Sequence, residues 1–242
     1  MESTLTIGLL ECDHVRPELR HIAGDYREMF PTLFNKVSSG IEFRFYDVVN
    51  GVFPENANEC DGYLCTGSSF SVYDDEDWIH RLADFVRALN RDAIPYTGVC
   101  FGHQMLGYAL GGKVHKSAGG WCVGVHELTI LSRERWMEPY QDKLNLLMMC
   151  QDQVIELPEN ATRLASAADC PNAMMMVGQT MLGVQAHPEF PHSYNRALME
   201  LRQERIGGEK VARGIDSLSL PTDEVATAGW IVNFFSNLQK RN

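Results

Sequence analysis

The 242-residue sequence is 45% hydrophobic and 22% charged, which is an ordinary balance for a globular protein. Its formal net charge of −11 argues against nucleic acid as a partner, because an acidic protein repels phosphate backbones. No apolar run approaches the roughly 20 residues of a membrane-spanning helix, and the N-terminus lacks the basic and apolar stretches of a secretion signal. We therefore expect a protein that contacts no membrane and resides in the cytoplasm.

Short β-rich runs alternate with amphipathic helical stretches in the first part of the chain. This alternation predicts an α/β fold with a mainly parallel central sheet. The predicted strands cover residues 5–10, 41–49, 62–66 and 94–99, and the predicted helices cover 17–37, 78–90 and 104–110.

The pattern changes from about residue 123 onward. β-like segments with short connections predict antiparallel additions to the sheet, and the chain after Phe190 reads as helical. No repeat, low-complexity tract or linker interrupts the sequence, so we expect residues 1–242 to form a single domain. The predicted strands cover 123–131, 144–150, 173–177 and 182–186, and the predicted helices cover 193–206, 209–215 and 223–238.

Seven cysteines are scattered along the chain, and none forms a Cys-x-x-Cys pair. An odd number without paired spacing predicts neither a disulfide framework nor a zinc site. We expect no metal and no organic cofactor, and we expect most of the thiols to be reduced and buried. One cysteine, however, lies in a sequence that points to chemistry.

Cys100 is the centre of a Gly-x-Cys-x-Gly sequence at a predicted strand-to-helix junction, residues 98–102. This is the form of a nucleophile elbow with cysteine in place of serine, and the glycines leave room for the tight bend. The start of a helix favours a reactive thiolate, and the backbone N–H of Phe101 can stabilise an oxyanion. A buried cysteine in a glycine-rich turn is the alternative interpretation.

A thiol nucleophile needs a proton acceptor and a third group that orients it. His187-Pro188-Glu189 closes a predicted strand, and in extended backbone residues two apart project to the same side. Glu189 can therefore hold one tautomer of His187, which leaves the other ring nitrogen free to face Cys100. A surface turn is the alternative for this tripeptide on its own.

Residues 98–104 (GVCFGHQ) and 185–189 (QAHPE) together resemble the class I, triad-type glutamine amidotransferases. The resemblance is strongest over residues 60–190, with 191–242 as a helical C-terminal extension. It implies a three-layer, flavodoxin-like sandwich with a mainly parallel central sheet, antiparallel additions and C-terminal helices. It also implies that Cys100 attacks a γ-carboxamide to form a γ-glutamyl thioester, with His187 as base and acid and Glu189 orienting it.

The same resemblance implies further residues around the nucleophile. The residues expected in the oxyanion hole are Phe101 and Ser68, and those expected to bind the glutamyl group are Gly67, Gln104, Trp121 and Cys122. Two positions depart from the family pattern. Gly67-Ser68-Ser69 stands where the family often has Gly-Gly-Pro, and Cys150 replaces the histidine of a His-x-Asp stretch.

Three functions are compatible with this interpretation. The first is a stand-alone hydrolase of glutamine or of a γ-glutamyl peptide or amine, as in the GMP-synthase-like branch that includes the γ-glutamyl peptidases. The second is a glutaminase subunit that delivers ammonia to a separate synthetase. The third is a non-catalytic binding module on the same fold, which the intact Cys100, His187 and Glu189 disfavour. The amine half of the substrate stays open.

Overall fold

The structure is a computed structural model, and it describes residues 4–239. Eleven strands and eight α-helices are found in this part of the chain. The strands are β1 (Leu5–Leu10), β2 (Ile41–Tyr46), β3 (Gly62–Cys65), β4 (Tyr96–Val99), β5 (Lys113–Lys116), β6 (Cys122–Ile130), β7 (Lys143–Cys150), β8 (Asp152–Glu156), β9 (Ala161–Ala167), β10 (Cys170–Val177) and β11 (Met181–Val184). The helices are α1 (Arg20–Ala23), α2 (Tyr26–Phe34), α3 (Asp77–Arg91), α4 (Phe101–Ala109), α5 (His192–Leu201), α6 (Gln203–Ile206), α7 (Gly208–Ser217) and α8 (Glu224–Gln239).

A nine-stranded sheet runs through the described residues in the order β2-β1-β3-β4-β11-β10-β9-β6-β7. All pairs from β2 to β11 are parallel, and all pairs from β11 to β7 are antiparallel. β5 and β8 form a separate antiparallel ribbon. The predicted mainly parallel sheet with antiparallel additions is confirmed.

Apolar side chains cover both faces of the parallel strands. In β1, Ile7 and Leu9 join the hydrophobic cluster beneath α2 and α8, while Leu10 joins the cluster beneath α3 and α4. Strands β3, β4 and β11 are buried along their whole length, as expected for parallel strands between two helical layers. The predicted three-layer sandwich is therefore confirmed.

The predicted helix over 17–37 is wrong in its extent. Gly24 ends α1 at a φ of 78°, a backbone conformation that favours glycine. Asp25 then caps α2, because its side chain accepts from the helix start while Glu28 accepts from the Asp25 N–H at 2.7 Å. A new helix start thus interrupts the apolar spacing that suggested one continuous helix.

Three short strands, β5, β8 and β9, were not predicted as such. β5 has one apolar residue among four, and β9 is built mostly of small and polar residues, so neither shows the alternation of a half-buried strand. The helical C-terminal part is confirmed, and Trp230, Phe234 and Phe235 of α8 are buried. Within residues 4–239, no helix is long and apolar enough to cross a membrane.

Candidate active site

Cys100 lies in the turn between β4 and α4 with a φ of 50° and a ψ of −99°, a conformation that L-residues rarely adopt. The turn is fixed because the Cys100 N–H donates to the carbonyl of Val184 at 2.9 Å. A Cβ on Gly98 would stand 2.2 Å from the backbone of Gly102, and one on Gly102 would stand 2.6 Å from the Cys65 carbonyl oxygen. The strained elbow therefore requires both glycines.

Phe101 is the first residue of α4, where a backbone N–H has no acceptor within the helix. Its ring is fully buried against Trp78, with ring centroids 5.6 Å apart. This packing fixes the start of the helix next to Cys100. The predicted oxyanion role of Phe101 thus rests on its N–H, since the side chain belongs to the core.

His187 follows β11 and is held in place on three sides. Its Nδ1 lies 2.7 Å from Oε1 of Glu189, its backbone N–H donates to the carbonyl of Leu147 at 2.8 Å, and its ring stacks on Phe190 with centroids 4.0 Å apart. Because Nδ1 contacts Glu189, Nε2 is the ring nitrogen that remains available for a second partner. The geometry that the tripeptide predicted for His187 and Glu189 is present.

The electrostatics of His187 depend on its neighbours. Burial alone lowers the pKa of the imidazole, but the charges of Glu189 and Cys100 outweigh burial and raise the pKa to about 10. A raised pKa favours the protonated form of the ring. A cationic imidazole beside a thiol is the arrangement that supports a thiolate nucleophile.

The loop after β3 brings Gly67 and Ser68 to this centre. A Cβ on Gly67 would stand 2.8 Å from Cε1 of His187, so only glycine allows the loop to approach the ring this closely. Asp13, which follows β1, accepts the backbone N–H of Ser69 at 2.7 Å and so anchors the loop. Ser68 lies with Cys100 on the wall of both neighbouring cavities.

Two cavities meet at Cys100. The Trp121 cavity is lined by Ser68, Ser69, Phe70, Ser71, Cys100, Gln104, Lys116, Trp121, Met149, Cys150, Gln151, Asp152, Arg202 and Arg205. The Tyr194 cavity is lined by Asp13, His14, Arg16, Tyr26, Ser68, Ser69, Cys100, Met149, His187, Phe190, Tyr194, Leu198 and Arg202. A substrate bound across Cys100 would place one half in each cavity.

Comparison with known proteins shows the family of the chain. Residues 47–202, more than half of the chain, match the glutamine amidotransferase class-I family. The chain belongs to this family.

Among the relatives of this chain, γ-glutamyl peptidase 4 of Arabidopsis thaliana is 32% identical over 183 residues, which span 73% of this chain and 70% of that protein. A glutamine-hydrolyzing GMP synthase subunit of Saccharolobus solfataricus is 27% identical over 140 residues, spanning 57% of this chain and 72% of that one. The crystal structure of a glutamine amidotransferase from Thermotoga maritima superposes with a TM-score of 0.75 at 18% identity and covers 100% of both chains. This superposition confirms the fold.

Of the predicted glutamyl-binding residues, Gln104 and Trp121 line the Trp121 cavity. The Gln104 side chain donates to the backbone carbonyl of Asp152 at 2.6 Å, which fixes the amide. The Asp152 carboxylate accepts from Ser71 Oγ at 2.6 Å and from Tyr73 at 3.0 Å. Trp121 is tied to the C-terminal part of the chain, because Lys210 of α7 donates to its backbone carbonyl at 2.9 Å.

The predicted substrate contact of Cys122 is one made by its backbone, and its side chain points away from both cavities. Its thiol lies 3.4 Å from Nε2 of His126 and 3.3 Å from Sδ of Met148, it is 2% exposed, and it is absent from the lining of either cavity. A hydrogen bond with Cys150 and the neighbouring His126 outweigh burial and lower the pKa of Cys122 to about 6. Only its backbone remains available for the predicted contact.

Cys150, the residue in place of the family histidine, lines the Trp121 cavity and pairs with Cys122 in the β6–β7 register. His103, inside α4, is fully buried, and burial lowers its pKa to about 4, so the ring is neutral.

Sequence reasoning missed Asp13, Tyr194 and Arg202. The polar run directly after β1 could have signalled Asp13, because the carboxyl ends of parallel strands meet at one edge of a sheet. Arg202 lies in a stretch that reads only as amphipathic helix, so no local signal separates it from solvent-exposed arginines.

Proposed function

We propose that this amidotransferase hydrolyses the amide bond of a γ-glutamyl compound through a thioester on Cys100. The observation that carries the proposal is the strained Cys100 on the wall of the same cavity as His187, whose Nδ1 lies 2.7 Å from Glu189. The similarity to γ-glutamyl peptidase 4 supports a γ-glutamyl amide as the bond that is cleaved.

In the first step, the sulfur of Cys100 attacks the amide carbon, and the C–S bond forms as the carbonyl electrons move to oxygen. The backbone N–H groups of Phe101 and Ser68 are the proposed donors to this oxyanion. The strained φ at Cys100 keeps the sulfur at the point where both cavities meet.

In the second step, the imidazolium of His187 gives its proton to the leaving nitrogen, and the C–N bond breaks to leave the thioester. His187, now neutral, takes a proton from water, which attacks the thioester carbon. Glutamate leaves, and the thiolate–imidazolium pair is restored. Glu189 holds the imidazole orientation throughout the cycle.

The glutamyl half is proposed to occupy the Trp121 cavity, next to Gln104 and Trp121. Gly67 and the backbone of Cys122 complete the set of proposed binding residues. In this position the γ-carbonyl reaches Cys100 while the α-amino and α-carboxylate groups meet the polar wall of the cavity.

A second candidate function is a glutaminase subunit that passes ammonia to a separate synthetase. The similarity to the GMP synthase subunit of Saccharolobus solfataricus favours it. In that case the site would bind glutamine, and turnover would rise when a synthetase partner is added. A binding module without catalysis is disfavoured because Cys100, His187 and Glu189 are all present and clustered.

A hydrolysis screen on the isolated protein tests the proposal. Glutamine, γ-glutamyl dipeptides and γ-glutamyl alkylamides are offered at equal concentration, and glutamate release is measured. We expect rapid partner-free turnover of at least one γ-glutamyl compound. Absence of turnover with every compound would contradict the proposal, and slow hydrolysis of glutamine alone would favour the ammonia-delivering function.

A further inference from the structure

Arg202 lies between α5 and α6, and its side chain is the one cation among the described residues that borders both cavities. It shares this position with Cys100, Ser68 and Met149. A group that it binds would therefore lie close to the scissile bond.

The guanidinium of Arg202 has no hydrogen bond or ion pair within residues 4–239. Arg20 lies 3.0 Å from Asp25 and Arg27 lies 2.7 Å from Glu11, while the Arg205 guanidinium lies over the Trp121 ring, 5.6 Å from its centroid. Burial lowers the pKa of Arg202, but a guanidinium remains charged in proteins. A partly desolvated cation without an anion is unfavourable, so an anionic ligand would be stabilised here.

The position of His187 decides which half of the substrate lies in the Tyr194 cavity, where Arg202 can contact it. His187 must protonate the leaving nitrogen, so the amine half departs toward the imidazole. His187 lines the Tyr194 cavity, and the described lining of the Trp121 cavity does not include it. The amine half therefore belongs in the Tyr194 cavity.

The other charged groups of the Tyr194 cavity each have a charged or hydrogen-bonding partner nearby. Arg16 is exposed and lies 3.6 Å from Glu18, an ion pair beyond hydrogen-bond distance. Asp13 accepts the N–H groups of His14 and Ser69 at 2.8 and 2.7 Å, and the His14 ring lies between two carboxylates at 3.0 and 3.1 Å. Arg202 is thus the partly buried cation in the described lining of this cavity that has neither an ion pair nor a side-chain hydrogen bond.

We propose that Arg202 binds a carboxylate on the amine half of the substrate and so selects γ-glutamyl amino acids and peptides over glutamine. The planar guanidinium offers two parallel N–H donors to one carboxylate. Glutamine leaves as ammonia and has no such carboxylate. In the Trp121 cavity, Lys116 and Arg205 provide separate cations for the α-carboxylate of the glutamyl half.

The proposal rests on the proposed function and is tested with a matched pair of substrates. γ-Glutamylalanine and γ-glutamylethylamide differ only by the carboxylate on the amine half. In Arg202→Gln, we expect the ratio of kcat/KM for γ-glutamylalanine to that for γ-glutamylethylamide to fall about 10- to 100-fold, the effect of losing a hydrogen-bonded charge pair. Arg202→Lys should restore part of the ratio, because it keeps the charge without the fork.

Arg205→Gln is the control, since it makes the same charge change on α6 and borders only the Trp121 cavity within the described residues. Its ratio should match that of the unaltered protein. An unchanged ratio in Arg202→Gln would overturn the proposal, including the case in which both substrates lose activity equally. Failure of the unaltered protein to hydrolyse either substrate would instead contradict the proposed function. A ratio measured within one variant does not depend on how much of that variant is folded.

Discussion

Each half of the sheet carries a cysteine in an unusual setting, and the two settings differ. In the parallel half, Cys100 occupies a turn with a φ of 50° and borders both cavities. In the antiparallel half, a hydrogen bond with Cys150 and the nearby His126 lower the pKa of Cys122 to about 6, yet its side chain is 2% exposed and is absent from the lining of both cavities. Position and access, more than a lowered pKa, distinguish the proposed nucleophile.

Alanine substitutions of Cys100 and Cys122 test this difference between the two thiols, and the loss of Cys100 has the largest expected effect. Cys100→Ala removes the attacking atom, so kcat/KM should fall by about 10⁴-fold or more, as in other enzymes that lose their nucleophile. Cys122→Ala should retain readily measurable turnover. Both are measured by glutamate release from a γ-glutamyl dipeptide. Inactivation by Cys122→Ala with full activity in Cys100→Ala would reverse the assignment of the two thiols.

Glu189→Gln tests whether the charge of Glu189 sets the pKa of His187. Burial lowers the pKa of His187, and Glu189 with Cys100 raises it to about 10. In the variant His187 stays buried but loses the negative charge of Glu189, so the pKa of His187 must fall. We expect kcat/KM to decrease by up to about 10⁴-fold and the alkaline limb of its pH profile to move to lower pH.

Glu200→Gln is the matched control for Glu189→Gln, because Glu200 is exposed and lies 3.9 Å from Arg196 on α5. Its pH profile should coincide with that of the unaltered protein. An alkaline limb at the same pH in Glu189→Gln would show that Glu189 does not set the protonation of His187.

Gly98→Ala tests whether the elbow depends on backbone contact. The added Cβ would stand 2.2 Å from the backbone of Gly102, which cannot move as a flexible side chain could. We expect a loss of about 3 kcal/mol in the free energy of unfolding, measured by urea denaturation. Gly229→Ala in α8 meets no atom within 4 Å and should gain about 0.5–1 kcal/mol. Equal stability of the two variants would refute the contact.

Asp13→Ala has the smallest expected effect. It removes the acceptor of the Ser69 N–H and so loosens the loop that carries the Ser68 N–H. We expect kcat to fall about tenfold with little change in KM, since the loop is proposed to contact the oxyanion and the loss of one charged hydrogen bond has about this size. A change confined to KM would instead assign Asp13 to substrate binding.

Much of the fold and the centre of the site could be predicted because their signals are local. Alternating strands and helices give the parallel half, and the Gly-x-Cys-x-Gly and His-Pro-Glu sequences each impose a backbone geometry within five residues. The ribbon of β5 and β8 could not be predicted, because its strands are short and largely polar.

The residues that read the amine half of the substrate could not be predicted either. Arg202 becomes distinctive only through the absence of a partner, which depends on how α5 and α6 lie against the cavities. The surroundings of the Cys122 side chain could not be predicted either, because the strand register places its thiol beside His126 and Met148. Both outcomes arise from tertiary packing.

The central claim is that a γ-glutamyl group becomes attached to Cys100 during turnover. The most direct test is an acid quench of the protein in steady-state turnover with a γ-glutamyl dipeptide, followed by peptide mapping by mass spectrometry. We expect the mass of one glutamyl group on the peptide that contains Cys100, and none on the peptide that contains Cys122. A glutamyl group on another cysteine would contradict this claim.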